Sequence, residues 1–238
     1  MFFNHLAQRT AREGDTSLGQ WNSRRFYDAV REIAVERGAF RGRVLEIGPG
    51  EGVFAQQCAA AELPYVAIER NESLADRLRD DGFDVHVERV PPVPFDEGSF
   101  DLVAMMALLE HMPTFEDALE LLAECHRVLR PGGAVLIQVP DAIRGGIDFP
   151  HWDYSHSFPP TAYRLRQLLR DVGFRVDRAT HLTGSFRGPL RMPLDLIGFV
   201  VHSRFSYWVA DTLGLERWLL RYHKTFEPSF VLVGHRPE

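Results

Sequence analysis

A glycine-rich stretch, "GPGEG" at residues 48–52, follows the apolar run "VLEI". Gly48 and Gly50 can adopt backbone dihedrals that other residues avoid, and they allow a ligand to approach the main chain. A phosphate loop would need a lysine and a hydroxyl residue after the glycines, and a dinucleotide fingerprint would need glycine in place of Val53. The stretch therefore indicates a loop that binds a nucleoside ligand without a pyrophosphate.

An acidic residue supports a nucleoside ligand. Glu69 ends the next apolar run, "YVAI", and stands 19 residues after Gly50. In α/β nucleotide-binding folds, an acid at this place accepts hydrogen bonds from the ribose diol. A tight turn with a helix-capping acid would explain either feature alone, but not the two together with a further element.

A second group of reactive side chains lies in "LLEHMP" and in the loop "HWDYSHSF". Imidazole groups can act as general bases, so His111 and His156 are the candidate catalytic residues. The neighbouring His151, Asp153 and Tyr154 suit contacts with a polar organic substrate. The alternatives are that Glu110 and His111 only order a turn, and that the aromatic side chains only fix the loop to the surface.

Metal binding is a further alternative for this loop. Two histidines five residues apart could bind an ion, but most such pairs do not, and the sequence shows no third ligand. We therefore predict no metal site.

The elements that must position these residues alternate along the chain. Strand-like and helix-like runs succeed each other from Arg43 to Pro140, which predicts an open, mostly parallel, doubly wound α/β sheet. A further strand, "RVDRATHL", and a last strand, "SFVLVGHR", bring the predicted total to seven. Helical periodicity marks residues 21–37 as a helix, and it marks "TAYRLRQLLRDVGF" (161–174) as another, with Gly173 as its C-cap.

The segment 189–224 has aromatic and apolar residues at roughly helical spacing. It is a lid over an acceptor pocket, a dimer interface, or a surface that contacts lipid peripherally. Its basic margin slightly favours lipid, but lids and interfaces are more common, and we favour the lid.

Composition restricts the function classes. The chain has 238 residues and a formal charge of −6, which argues against a nucleic-acid partner because phosphate neutralisation needs a basic surface. Two cysteines give no disulfide framework and suit a reducing compartment. The N-terminal stretch has no signal-peptide core, and no apolar run is long enough to span a bilayer, so we expect a cytoplasmic protein.

The stretch "VLEIGPGEG" resembles motif I of the class I S-adenosylmethionine (SAM)-dependent methyltransferases. Four further stretches follow in the order typical of that family, over about residues 43–140: "AIER", "VPFDEGSFDLV", "LLEHMPTFEDAL" and "RVLRPGGAVLIQVP". This is the pattern of the small-molecule "type 11/12" branch. The resemblance implies a Rossmann-like methyltransferase fold, SAM as cofactor with S-adenosyl-L-homocysteine as product, and a small-molecule acceptor methylated at oxygen.

The resemblance also implies roles for individual residues. The methionine end of SAM would lie on Glu46, Gly48 and Gly50, and its ribose on Glu69. Arg70 would lie along the adenine, whose amino group would meet Glu88 or the amide of Arg89, and Ala107 and Leu108 would line the sulfonium. Related ubiquinone-pathway O-methyltransferases bind a metal through "ExxEH", but Ala107 replaces the first glutamate here.

We predict one methyltransferase domain over residues 1–238. It comprises an N-terminal helical segment (1–40), the SAM-binding core (41–140), an acceptor-side loop, helix and strand (141–188), a helical insertion or lid (189–225), and the last strand (226–238). The rival hypothesis is a SAM-binding or degenerate methyltransferase-fold protein that acts through a partner or a membrane surface.

Overall fold

The computed structural model describes residues 17–145, 153–201, 203–215 and 226–238. One eight-stranded sheet has the order β3-β2-β1-β4-β5-β8-β6, and β7 also pairs with β8. The strands are β1 Val44–Ile47, β2 Tyr65–Ile68, β3 Asp84–His86, β4 Phe100–Met106, β5 Leu129–Pro140, β6 Arg175–Val176, β7 Thr180–Thr183 and β8 Pro228–His235. The first five are parallel and β8 is antiparallel to its neighbours. The predicted doubly wound sheet is confirmed.

Helices cover both faces of this sheet, and each face buries its own apolar cluster. They are α1 Ser17–Glu36, α2 Val53–Ala60, α3 Glu72–Asp80, α4 Phe115–Val128, the single turn α5 Ala142–Gly145, α6 Ala162–Val172, α7 Arg191–Val201 and α8 Arg204–Leu213, with 3-10 turns at Leu109–His111 and Gly188–Leu190. Their ends follow sequence signals. Asn71 and Thr114 cap α3 and α4 through their side chains, and Gly173 ends α6 at φ +110°.

The sixth predicted strand is divided, so the sheet has eight strands rather than seven. Val176 pairs with Gly234 and Thr180 pairs with Val231, so residues 177–179 stand opposite only two residues of β8. One extra residue on one strand forms a bulge and interrupts the ladder. Helices α7 and α8 lie between β7 and β8, as the predicted insertion does.

The strand order reverses between β1 and β4, which are neighbours in register from Val44–Leu102 to Ile47–Met105. The loop after β1 and the turn after β4 therefore leave the sheet side by side. In open α/β sheets, ligands bind at this switch point beyond the carboxyl ends of the strands.

Helices α7 and α8 expose large apolar side chains, among them Leu196 (70%), Phe199 (75%) and Trp208 (62%). Their role as lid, interface or lipid contact stays a prediction. In the described part of the chain, no helix is both long and apolar enough to cross a membrane.

Candidate functional site

The glycine loop after β1 has three glycines with positive φ, at Gly48 (+72°), Gly50 (+54°) and Gly52 (+73°). A Cβ at Gly48 would lie 3.0 Å from Leu108 Cδ1, and one at Gly52 would lie 2.3 Å from Leu78 Cδ2. A Cβ at Gly50 would meet no atom within 4 Å. Two of the glycines therefore make room for the protein's own leucines, and Gly50 is the one that leaves open space for a ligand.

Glu69 lies directly beyond β2, facing this loop. It is 8% exposed, and its carboxylate accepts hydrogen bonds from the backbone N–H of Asn71 (2.8 Å) and of Gly50 (3.4 Å). Burial raises its pKa, more than these backbone hydrogen bonds lower it. Each carboxylate oxygen has a further lone pair, so Glu69 can also accept hydrogen bonds from a diol.

Glu46 points from β1 into the protein beneath the loop and is fully buried. Tyr65 donates a hydrogen bond of 2.6 Å to its Oε2, while Oε1 accepts none from the described residues. Burial raises the pKa of Glu46 to about 8 despite the Tyr65 hydrogen bond, and the negative charge of Glu69 adds to the rise. This buried oxygen and the open space at Gly50 fit a ligand that carries hydrogen-bond donors, as the methionine end and ribose of SAM do.

The residues expected to contact an adenine lie at the same edge of the sheet. Arg70, Glu88 and Arg89 are exposed, the first beyond β2 and the other two beyond β3. A hydrogen bond from the Glu69 N–H to the His86 carbonyl (2.9 Å) joins the two strand ends. Their contacts with the adenine stay predictions.

Ala107 directly follows the last residue of β4 and has a strained backbone conformation. With Glu62, it is one of two non-glycine residues with positive φ in the described part of the chain, at +49°. Its N–H donates to the Gln138 carbonyl (2.9 Å), and its side chain is exposed. Strained backbone of this kind clusters at functional sites. Leu108 packs on Gly48, and this contact joins the turn after β4 to the glycine loop.

The turn after β4 also carries His111, which contacts the loop at residues 153–158. Ser155 Oγ lies 2.9 Å from His111 Nδ1 and donates a hydrogen bond of 2.5 Å to Asp153 Oδ1. Because the hydroxyl proton is used on Asp153, Ser155 accepts the N–H of Nδ1, and the lone pair of neutral His111 is at Nε2. We assign this tautomer from the hydrogen-bond network.

Asp153 is buried and stays ionised in this arrangement. Burial would raise its pKa, but hydrogen bonds from the Ser155 hydroxyl and N–H, together with attraction to His111 and His156 when these are protonated, hold it below its usual range. The series Asp153–Ser155–His111 therefore orients the imidazole and stabilises its protonated form.

Glu110 and His156 complete the acceptor-side group. The imidazole rings of His111 and His156 are 5.0 Å apart, and one potential ligand atom from each of Glu110, His111 and His156 lies within 4.8 Å of the others. Glu110 is 1% exposed. Burial raises its pKa to about 8, beyond what its own backbone N–H offsets, and the charges of Glu227 and Asp153 add to this rise.

The structure thus brings together three of the predicted acceptor-side residues, His111, Asp153 and His156. Tyr154 is 78% exposed, and His151 lies outside the described residues. Sequence reasoning missed Ser155 and gave Glu110 only a structural role. The Asp-x-Ser spacing is a signal for Ser155, since such an aspartate can accept from the residue two positions later.

The comparisons with known proteins agree with this geometry. The family model of a methyltransferase domain matches residues 19–179, more than half of the chain. A probable S-adenosylmethionine-dependent methyltransferase of Mycolicibacterium smegmatis is 28% identical over 217 residues, which cover 87% of this chain and 82% of that protein. The chain spans 54% of the length of two further curated relatives.

Two further similar proteins are a curated relative and a solved structure. The sarcosine/dimethylglycine N-methyltransferase of Halorhodospira halochloris is 30% identical over 215 residues, 83% of this chain and 76% of that protein. Among solved structures, the putative methyltransferase in complex with the Haloferax volcanii Trm112 activator has a TM-score of 0.65 at 18% identity. The match covers 99% of this chain and 96% of that chain. The latter likeness shows the fold alone.

Proposed function

The chain belongs to the class I SAM-dependent methyltransferases, and we propose that it transfers the methyl group of SAM to a hydroxyl oxygen of a small molecule or biosynthetic intermediate. The observation that supports an oxygen acceptor is the series Asp153–Ser155–His111 beside the strained end of β4. A hydroxyl must lose its proton during methylation, and an oriented imidazole can receive that proton.

On the cofactor side, the open space at Gly50 and the carboxylate of Glu69 are the features that support the proposal. Glu69 holds the ribose hydroxyls, while Glu46 and the backbone at Gly48 and Gly50 hold the methionine end. Arg70 with Glu88 or the Arg89 amide contacts the adenine. Bound SAM supplies an electrophilic methyl group on its sulfonium.

On the acceptor side, the protein must align the acceptor oxygen and exclude water, because methyl transfer is a direct displacement. Ala107 and Leu108 form the wall between the two halves. His111 and His156 receive the hydroxyl and promote loss of its proton, and either ring can accept that proton directly. His151, Asp153 and Tyr154 contribute the polar surface around the acceptor.

Titration calorimetry with S-adenosylhomocysteine tests the cofactor half, and absence of binding at millimolar ligand would overturn it. The acceptor half is tested by product release with paired acceptors of matched size that differ only in carrying a hydroxyl or an amine. We expect turnover with the hydroxyl members. Turnover with the amines alone would support nitrogen instead, the atom methylated by the Halorhodospira relative.

A second candidate is a SAM-binding protein that acts through a partner or a membrane surface. It is favoured by the exposed apolar side chains of α7 and α8, because patches of this kind often mark contact sites. Substitution of Phe199 and Trp208 by serine tests it. Lost association in a protein that has no detectable methylation would favour this candidate, whereas methylation that persists in both variants would favour the enzyme.

A further inference from the structure

The acceptor-side group formed by Glu110, His111 and His156 has the composition of a metal site. The first two come from the turn after β4, and the third comes from the loop at residues 153–158, more than forty positions later. One ligand atom from each residue lies within 4.8 Å of the others. The sequence alone shows no third ligand for a metal ion beside the histidines. Only folding brings Glu110, His111 and His156 together.

The buried carboxyl group of Glu110 is one of the features that hydrogen bonding among the described residues leaves unexplained. Glu110 Oε2 is inaccessible to solvent and accepts no hydrogen bond from them. A buried acceptor without a partner is rare in folded proteins, and a bound ion is one of its ordinary explanations. Glu110 therefore has a buried carboxylate oxygen that an occupant of the site could contact.

The surrounding charges favour a cation. Asp153 and Glu227 both lie close enough to Glu110 to raise its pKa through their negative charge. Burial raises the pKa of Asp153, but hydrogen bonds from Ser155 lower it, and His111 and His156 also lie close enough to lower it. A divalent cation would offset two of the three negative charges of Glu110, Asp153 and Glu227, while the two imidazoles stay neutral and bind through their nitrogen lone pairs.

Hydrogen bonds through Ser155 to Asp153 orient His111 for such a role. Ser155 accepts the N–H of Nδ1 and in turn donates to Asp153, which leaves Nε2 with the lone pair. Metal-binding histidines typically donate their other ring N–H to a neighbouring oxygen in this way. The Phe158 N–H also donates to the Glu110 carbonyl (3.0 Å), which fixes the loop to the turn.

We propose that Glu110, His111 and His156 bind one divalent first-row transition-metal ion, with an open position for the acceptor oxygen. Two nitrogens and one oxygen suit ions such as Zn²⁺, Mn²⁺, Fe²⁺ or Co²⁺, and three protein ligands leave room for a substrate or water. Tetrahedral ligands at ordinary bond lengths are roughly 3.3 Å apart. The ion therefore draws the loop at residues 153–158 towards the turn.

The catalytic consequence rests on the proposed function, whereas binding of the ion does not. A bound divalent cation lowers the pKa of a coordinated hydroxyl group. With the ion in place, the two rings act as ligands rather than as bases, and the hydroxyl proton leaves to solvent. The ion then explains how a weakly acidic hydroxyl is methylated near neutral pH.

The test uses the full chain without an affinity tag, treated with EDTA and dialysed, and then titrated with CoCl₂ alone. Visible absorption of Co²⁺ and calorimetry report the stoichiometry and affinity. We expect one equivalent to bind, and Glu110→Gln or His156→Gln to weaken binding by roughly tenfold or more. His235→Gln is the control, because His235 pairs with Ala134 of β5 and lies away from the carboxyl end of β4, where the proposed site is.

Two results would overturn the metal site. One is the absence of saturable binding at millimolar CoCl₂. The other is unchanged Co²⁺ affinity in His156→Gln, a substitution at a half-buried loop residue that serves as the test if Glu110→Gln does not fold. The two proposals fail separately. Hydroxyl methylation that is complete in EDTA keeps the proposed function and overturns the catalytic role of the ion. Binding of one Co²⁺ by a protein that methylates only amines keeps the ion site and overturns the oxygen acceptor.

Discussion

The cofactor side and the acceptor side of this protein use similar chemical groups but assemble them in different ways. The cofactor side takes Glu46, the glycine loop and Glu69 from one continuous stretch of strand, helix and strand. The acceptor side takes its groups from the turn after β4, the loop at residues 153–158 and the approach to β8. One half is local in sequence and the other is assembled by long-range contacts.

Each half also keeps one fully buried glutamate with a pKa of about 8. Glu46 has a partner in Tyr65, so its oxygen Oε2 is satisfied within the fold. Glu46 Oε1 and Glu110 Oε2, however, both lack a hydrogen-bond partner among the described residues. Both halves therefore keep one buried carboxylate oxygen for a guest. They differ in that a neighbouring side chain, Tyr65, holds Glu46, whereas its own backbone N–H holds Glu110.

The comparison is tested most strongly at His111. His111→Ala should lower kcat by about 10²–10⁴-fold, because His111 either receives the acceptor's proton or binds the ion that lowers the pKa of the acceptor hydroxyl. The affinity for S-adenosylhomocysteine should change little, because His111 is not among the cofactor groups. Steady-state kinetics and calorimetry measure the two effects, and equal losses in both would mean that the halves are not separable.

The glycine loop offers a test within the cofactor half. Gly52→Ala should lower the free energy of unfolding by roughly 2–4 kcal/mol, since its Cβ would overlap Leu78 at positive φ. Gly50→Ala should lower it by about 1–2 kcal/mol and mainly weaken ligand binding. Urea unfolding and calorimetry distinguish them. If Gly50→Ala binds S-adenosylhomocysteine as the parent does, the open space at Gly50 is not the ligand's place.

Glu69→Gln examines the ribose contact. We expect the affinity for S-adenosylhomocysteine to fall by roughly 1.5–3 kcal/mol, the range for hydrogen bonds to a charged group. At saturating SAM, kcat should be nearly unchanged. The matched control is Glu72→Gln, an exposed acid three residues away. Unchanged affinity in Glu69→Gln would refute its role on the ribose.

The buried Glu46 predicts a pH dependence of stability. Its pKa is about 8 in the folded protein and 4.5 ordinarily, so between these values the folded state binds more protons than the unfolded state. The free energy of unfolding therefore falls as pH rises through this window. Glu46→Gln should reduce that fall by about 1–2 kcal/mol in unfolding curves. A variant with the parent's pH profile would contradict the shifted pKa.

Much of the fold follows from local signals. The apolar strands, the capping residues Asn71 and Thr114, and Gly173 at the end of α6 all act within a few positions of the chain. The structure confirms the predicted sheet, and the comparisons with known proteins confirm the predicted family and cofactor. The bulge at residues 177–179 escaped prediction because it depends on how that strand pairs with β8, fifty residues later.

The sequence by itself determined the loop after β1 and the acid after β2, because strand, turn and helix follow each other without a gap. Only the tertiary structure decided which glycine leaves open space, because leucines from elsewhere in the chain occupy the space beside Gly48 and Gly52. It also decided that Glu110, His111, Ser155 and His156 meet. Burial and hydrogen bonding across distant segments set their protonation, and no short stretch of sequence contains that information.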